Sequence, residues 1–146
     1  MEIITKTFEE LSIHELHDLL LLRSEVFVVE QDCVYQDVDG KDPKALHVLG
    51  LVNNKIVAYT RCFAQGIYFE EASIGRVVVD MEHRKFKLGH EIMKASMEAI
   101  KKYYNTEKVK LSAQEYLQEF YKTLGFHQIG EGYLEDGIRH IAMVSP

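Results

Sequence analysis

The sequence predicts a mixed α/β fold, an αβα sandwich with helices on both faces of one sheet. Three observations carry this. Hydrophobic periodicity switches along the chain in the order β-α-β-β-β-α-β-α-β-β, which is not the order of a doubly wound parallel sheet. Val77, Val78 and Val79 form a continuous apolar run, as in a strand covered on both faces. Leu88, Ile92, Met93, Ser96, Ala99, Ile100 and Tyr103 make one face of a long helix. The 146 residues, 47% hydrophobic and 27% charged, suit a single folded domain spanning 1–146 and argue against disorder.

Glu2 to Phe8 alternates and carries β-branched residues, so it reads as a strand. Ser12 with Glu15 three residues later forms a capping box. The helix it opens runs to about Glu30, with Leu16, Leu19, Leu20, Arg23, Phe27 and Glu30 at three- and four-residue spacing. Gln31 to Ala45 holds Asp37, Asp39, Gly40, Asp42 and Pro43 and reads as a structured loop. Leu46 to Val52 and Ile56 to Phe63 flank Asn53-Asn54, a hairpin signal. Ala72 to Asp80 is the next strand, followed by the helix Leu88 to Tyr104 and a short strand at Lys108 to Ala113. A helix over Glu115 to Leu124 stops at Gly125, and strands Phe126 to Gly132 and Ile138 to Val144 close the chain around Glu135-Asp136-Gly137.

The formal net charge of -6 disfavours nucleic acid, because duplex affinity comes mostly from neutralising phosphates. No apolar run approaches the ~20 residues of a membrane-spanning helix. Glu2, Lys6, Glu9 and Glu10 leave no apolar stretch for a secretory signal, so the expected compartment is the cytoplasm, without membrane partners. Cys33 and Cys62 read as free thiols, and Cys62, within a strand, suits packing better than nucleophilic catalysis. No metal is expected. Asp37 to Asp42 lacks the spacing of a calcium loop, and His14 with His17 has no third ligand.

Two stretches carry chemistry. Ile74-Gly-Arg-Val-Val-Val-Asp80 leads into Arg84, Lys85, Lys87 and Gly89 at the start of a helix, where backbone N–H groups favour an anion. The same cluster read alone is a solvated basic turn. Phe120-Tyr-Lys-Thr-Leu-Gly-Phe126 follows, in which Tyr121 is either a functional phenol or a core aromatic.

In this order and spacing the two stretches resemble the GNAT superfamily of acyl-CoA-dependent N-acetyltransferases. The superfamily's phosphate loop, Arg/Gln-x-x-Gly-x-Gly/Ala, stands here as Arg84-Lys-Phe-Lys87-Leu-Gly89, with Lys87 in place of the first glycine. Leu22 to Gln31, Tyr35 to Gly40, Ile74 to Asp80, Ala113-Gln114 and Glu135 to Ile141 narrow the resemblance to the ElaA-like group, in which that lysine is usual. The resemblance implies a splayed, mostly antiparallel sheet whose fourth strand receives the pantetheine arm. It implies acetyl-CoA as cosubstrate, held by Val77, Val78, Val79, Arg84, Lys85, Lys87, Leu88, Gly89, His90, Gln114 and Tyr121. Tyr121 takes the place of the acid that protonates the leaving thiolate. His140 is the first choice of base, because imidazole titrates near neutral pH, and its alternative is a satisfied strand histidine. Glu30 is a second base or an amine-binding group, or else a solvated helix-end carboxylate. Arg23 is read as a carboxylate binder for the acceptor, or a surface ion pair, and Gln114 as a ligand group or a helix cap. The expected reaction moves an acetyl group to a primary amine of a small molecule. A protein or peptide N-acetyltransferase and a non-catalytic acyl-CoA sensor are the alternatives, and a homodimer is compatible with all three.

Overall fold

The computed structural model describes Met1–Pro146. Strand β1 (Glu2–Thr7) precedes helix α1 (Ile13–Arg23), whose Ser12 cap accepts from the Glu15 N–H at 3.0 Å while Glu15 returns a bond to the Ser12 N–H at 2.8 Å. The helix does run to Glu30, but Ser24–Glu30 winds wider than an α-helix. There the Gln31 N–H reaches the Val26 carbonyl and the Cys33 N–H that of Val28, each five residues back.

β2 (Leu46–Val52) and β3 (Lys55–Phe63) form the expected hairpin. Asn53 and Asn54 both take positive φ, 51° and 64°, the turn whose twist matches paired strands. After β4 (Ala72–Val79) come α2 (Leu88–Tyr104), β5 (Val109–Gln114), α3 (Gln118–Thr123), β6 (His127–Glu135) and β7 (Ile138–Val144). The third helix is shorter than its pattern suggests, because Glu115–Leu117 is a 3-10 turn. β6 is longer, running to the Asp136-Gly137 turn. No helix is long and apolar enough to cross a membrane.

The sheet order is β1-β2-β3-β4-β5-β7-β6, antiparallel throughout except between β4 and β5. Those two pair only at Ala72–Val109 and Ser73–Lys110, then diverge. α1 packs on one face through Leu19, Leu22 and Val26 against Leu49, Tyr59 and Val78. The other face carries the larger core, in which Ile92, Met93 and Ile100 of α2 and Tyr121 of α3 cover Val48, Ile74, Leu111 and Ile141.

The loop between α1 and β2 is fastened by charge. Arg23 is fully buried (0% exposed) and donates to Asp37 Oδ2 at 2.9 Å, Asp42 Oδ1 at 2.8 Å and the Asp37 carbonyl at 2.9 Å. Arg61 bonds Asp39 at 2.8 and 2.9 Å and Asp42 at 2.9 Å, and Arg76 lies 2.8 Å from Asp37. His47, which burial holds below its ordinary pKa, joins the Tyr59 hydroxyl at 2.6 Å and the Asp42 carbonyl at 3.0 Å. Three arginines thus balance three aspartates. This corrects the reading of Arg23: it is neither a carboxylate binder for an acceptor nor a surface pair, because every donor it could offer is taken inside the fold. The Asp-rich segment is the structured turn its composition suggests.

Candidate active site

A cavity of about 630 Å³ opens where β4 and β5 part, within the size range of small-molecule sites. Strand register shows that it passes through the sheet. Tyr121 belongs to the α2/α3 face. Arg61 pairs with Gly75 and Phe63 with Ser73, which places all four on the α1 face with Tyr59. Ser73 pairs with Lys110 and Gln114 with His140, so Gln114 and His140 also belong to the α1 face.

On the α2 side the cavity starts at the turn before α2. Lys87 is held left-handed, φ 58° and ψ 24°, the conformation a glycine adopts without cost. No side chain caps α2, so the first N–H groups after Lys87 are left for an anion. Lys87, Gly89 and His90 line the cavity. Gly89 is needed for space: a Cβ there would sit 3.2 Å from the Phe120 ring. His90 bonds the Thr123 hydroxyl at 2.8 Å and meets the Phe120 ring edge-on. Lys85 is exposed and Leu88 is in the core, so neither side chain walls the cavity and any part they take is through their N–H groups.

Arg84 does not stand free. It grips the Glu30 carboxylate with two bonds, 2.7 and 2.8 Å, and reaches the Val79 carbonyl at 3.0 Å. Glu30 therefore lines the cavity as the partner of a phosphate-loop cation rather than as an open base. Val77, Val78 and Val79 line it too, and beyond Ser73 the β5 side of β4 has no strand partner. A bulge between Tyr59/Val78 and Arg61/Gly75 holds Arg76 at φ 47°. Such a residue off glycine's ground is uncommon and is sustained here by the Arg76–Asp37 pair.

Tyr121 sits at the splay, 5% exposed, its ring edge-on to Phe120 and Phe126 and its hydroxyl without a protein partner. Burial drives its pKa well above that of a free phenol, so it stays protonated at neutral pH. On the far side, His140 Nδ1 lies 2.8 Å from the Ile138 carbonyl. That contact assigns the proton to Nδ1 and leaves Nε2 to accept, 3.4 Å from Glu135 Oε2. Tyr133 stacks on the imidazole. Gln114 and Gln31 exchange two amide bonds of 3.1 Å across the opening, so Gln114 is neither a helix cap nor unattached.

Gln31, Glu135 and the aromatic wall of Phe63, Tyr68 and Phe69 escaped the sequence reading as site residues. The first two lie inside stretches that were already distinctive, Leu22 to Gln31 and Glu135 to Ile141, and could have been taken from them. Cys33 is a free thiol at the cavity, whereas burial pushes the Cys62 thiol up to about 12, unsuited to nucleophilic work. No cluster of three or more His, Cys, Asp or Glu is placed to hold a metal.

Comparison with known proteins agrees with this geometry. The family described as Acetyltransferase (GNAT) domain matches residues 6–145. Protein ElaA of Escherichia coli is 43% identical over 136 residues, covering 92% of this chain and 89% of that one. A UPF0039 protein of Schizosaccharomyces pombe is 42% identical over 145 residues, 98% of this chain and 95% of its own. Among solved structures, an acyl-CoA N-acyltransferase from Pseudomonas aeruginosa superposes with TM-score 0.93 at 38% identity over 100% of both chains. Escherichia coli ElaA superposes with TM-score 0.91 at 40% identity over 99% of both. A phosphate loop opening α2, a sheet split beside it and a buried phenol at the split are thus shared with full-length relatives, and the chain belongs to the GNAT acetyltransferase family, in its ElaA-like group.

Proposed function

We propose that the chain transfers an acetyl group from acetyl-CoA to the primary amine of a small molecule, in the cytoplasm and without a metal. The observation that carries this reading is one cavity joining the uncapped start of α2 to Tyr121 and then, through the sheet, to His140. When bound, acetyl-CoA supplies the acyl group as a thioester. The N–H groups from Lys85 to His90, with Lys87 and Arg84, hold its phosphates. The open edge of β4 at Val77 to Val79 aligns its arm.

The chain's own residues manage two protons. An alkylammonium has a pKa of ~10.4 and cannot attack until it is deprotonated. His140 Nε2, its tautomer fixed by the Ile138 carbonyl, takes that proton. Tyr121, kept neutral by burial, gives its proton to the departing sulfur. The Gln31–Gln114 pair keeps the opening between the two groups in place. A passive acyl-CoA sensor would not need these two groups on opposite sides of one opening.

The test is an amine screen with acetyl-CoA, read by thiol release. Tyr121→Phe should lower turnover by roughly 10- to 1000-fold with little change in acetyl-CoA affinity. His140→Ala should confine activity to alkaline pH, where the amine is already neutral. Unchanged turnover in Tyr121→Phe at every pH would make the phenol a packing residue. Equal thermal stabilisation by acetyl-CoA and acetyl-pantetheine would remove the phosphate site.

A further inference from the structure

Two polar atoms belonging to residues of the cavity wall are buried and lack any hydrogen-bond partner: Ser73 Oγ and Arg61 Nε. Both residues are 2% exposed. They are neighbours on the α1 face, where Ser73 pairs with Phe63 and Gly75 with Arg61, so four positions make one square. Its fourth corner has no side chain, and a Cβ built on Gly75 meets nothing within 4 Å. The square is a recess, floored by Gly75 and walled by Phe63, whose ring lies under the Arg61 guanidinium at 5.0 Å. Buried donors in folded proteins are almost always paired. Two unpaired donors at one recess mark the seat of an oxygen atom.

Charge decides which oxygen. Arg23, Arg61 and Arg76 are balanced by Asp37, Asp39 and Asp42, so the guanidinium that offers Nε brings no net positive charge. A carboxylate placed there would be desolvated with no free cation to meet it. An uncharged carbonyl accepts the same bonds without that cost. Lys41 and Lys110 stand over the Tyr68 and Phe69 rings and do not line the cavity. Glu135 and Asp136 do line it, and neither has a lysine or arginine partner, which attracts an ammonium toward His140.

We propose that the acceptor is an amine bearing an uncharged amide carbonyl, whose oxygen is seated by Ser73 and Arg61 over Gly75 while its amine faces His140. This deepens the acetyl-transfer reading above and rests on it for the role of the amine.

The experiment measures binding by NMR titration of the CoA-loaded protein, in which nothing can react. The ligands are glycinamide and longer ω-amino amides, with alkylamines and free amino acids of the same length. The amide of best length should bind about 10-fold more tightly than its matched amine or acid, the worth of a hydrogen bond or two. Gly75→Ala should fill the recess without disturbing the fold, since Gly75 is not left-handed and its Cβ meets no atom. Its thermal midpoint should match the parent's, alkylamine binding should persist and the amide's advantage should vanish. Ser73→Ala should reduce that advantage by a smaller factor. A short lysine-containing peptide run beside the free amides separates a small amide from a peptide as the source of the carbonyl. Equal or absent binding of all three ligand classes, or an amide advantage that survives Gly75→Ala, would make the recess a water site and overturn the proposal. Acetyl transfer to no amine, with a Gly75-dependent amide preference intact, would instead refute the reaction and leave the subsite standing.

Discussion

The two ends of the cavity are built from the same pair of charged groups and behave oppositely. At the acceptor end, Arg23, Arg61 and Arg76 are closed over Asp37, Asp39 and Asp42, with Arg23 wholly buried. At the phosphate-loop end, Arg84 holds Glu30 with bonds just as short, but the arginine side chain is 41% exposed and the carboxylate 26%. Bond length does not separate them; desolvation does. A buried pair that loses one member leaves a charge with no solvent to meet it, whereas an exposed pair exchanges its partner for water or an incoming anion at little cost. The first arrangement suits a scaffold. The second suits a cation that must meet phosphates and let them go.

The sharpest way to break this contrast is at Asp42, which serves Arg23 and Arg61 together. Asp42→Ala should destabilise the fold by about 3–5 kcal/mol, seen by urea denaturation. Acid offers a route without mutation. Asp39 and Asp42 are held below the ordinary carboxylate range by their arginine bonds, which outweigh the burial that alone would raise them. Their folded pKa values lie under the unfolded ones, so their stabilisation is present above about pH 4 and is lost as pH falls through the lowered values. His47, also lowered, begins the decline earlier, because the unfolded imidazole binds a proton below about pH 6.5 and the buried one resists it. Urea midpoints followed from pH 7 to pH 3 should fall progressively, and a flat profile would deny the network its role.

Glu30→Gln probes the other end. Stability should move by less than about 0.5 kcal/mol, while acetyl-CoA should bind several-fold more tightly because Arg84 is no longer claimed by a carboxylate. A loss of stability as large as that of Asp42→Ala would erase the distinction between the ends. The smallest effect belongs to Lys87→Gly, which relieves the left-handed lysine and should stabilise by about 0.5 kcal/mol in the same urea assay, the relief being partly offset by glycine's greater freedom when unfolded.

The features that local chemistry controls were legible. Ser12 and Glu15 start a helix by bonding each other's backbone, Asn53-Asn54 turns a hairpin, and Gly125 ends a helix at φ 92°. Tyr121 and Gly89 could be placed because their motif brings its own context. Arg23 could not. Its partners lie 14 and 19 residues away in a loop without periodicity, and nothing on its helix reports that the loop folds back over it. Glu30 and Arg84 are separated by 54 residues and meet only because the sheet sets α1 beside the turn before α2. The recess over Gly75 was equally hidden, since it depends on the bulge that fixes which β4 residue faces Arg61. What sequence conceals here is long-range pairing of charge and the register of a bulged strand.

The widened winding of Ser24–Glu30 also has a consequence for chain length. A π-turn stores an extra residue that an α-helical path would not accommodate. Deleting one residue, such as Val28, would let the segment revert to ordinary winding, but everything after the deletion would rotate by about 100° about the helix axis, one residue's advance. Glu30 would swing away from Arg84 and Gln31 from Gln114, while Arg23, upstream of the deletion, would keep its aspartates. The segment works as a phase adjuster: the buried part of α1 is set by the hydrophobic repeat, and the residues that reach the cavity are aimed by a residue count that the repeat does not record.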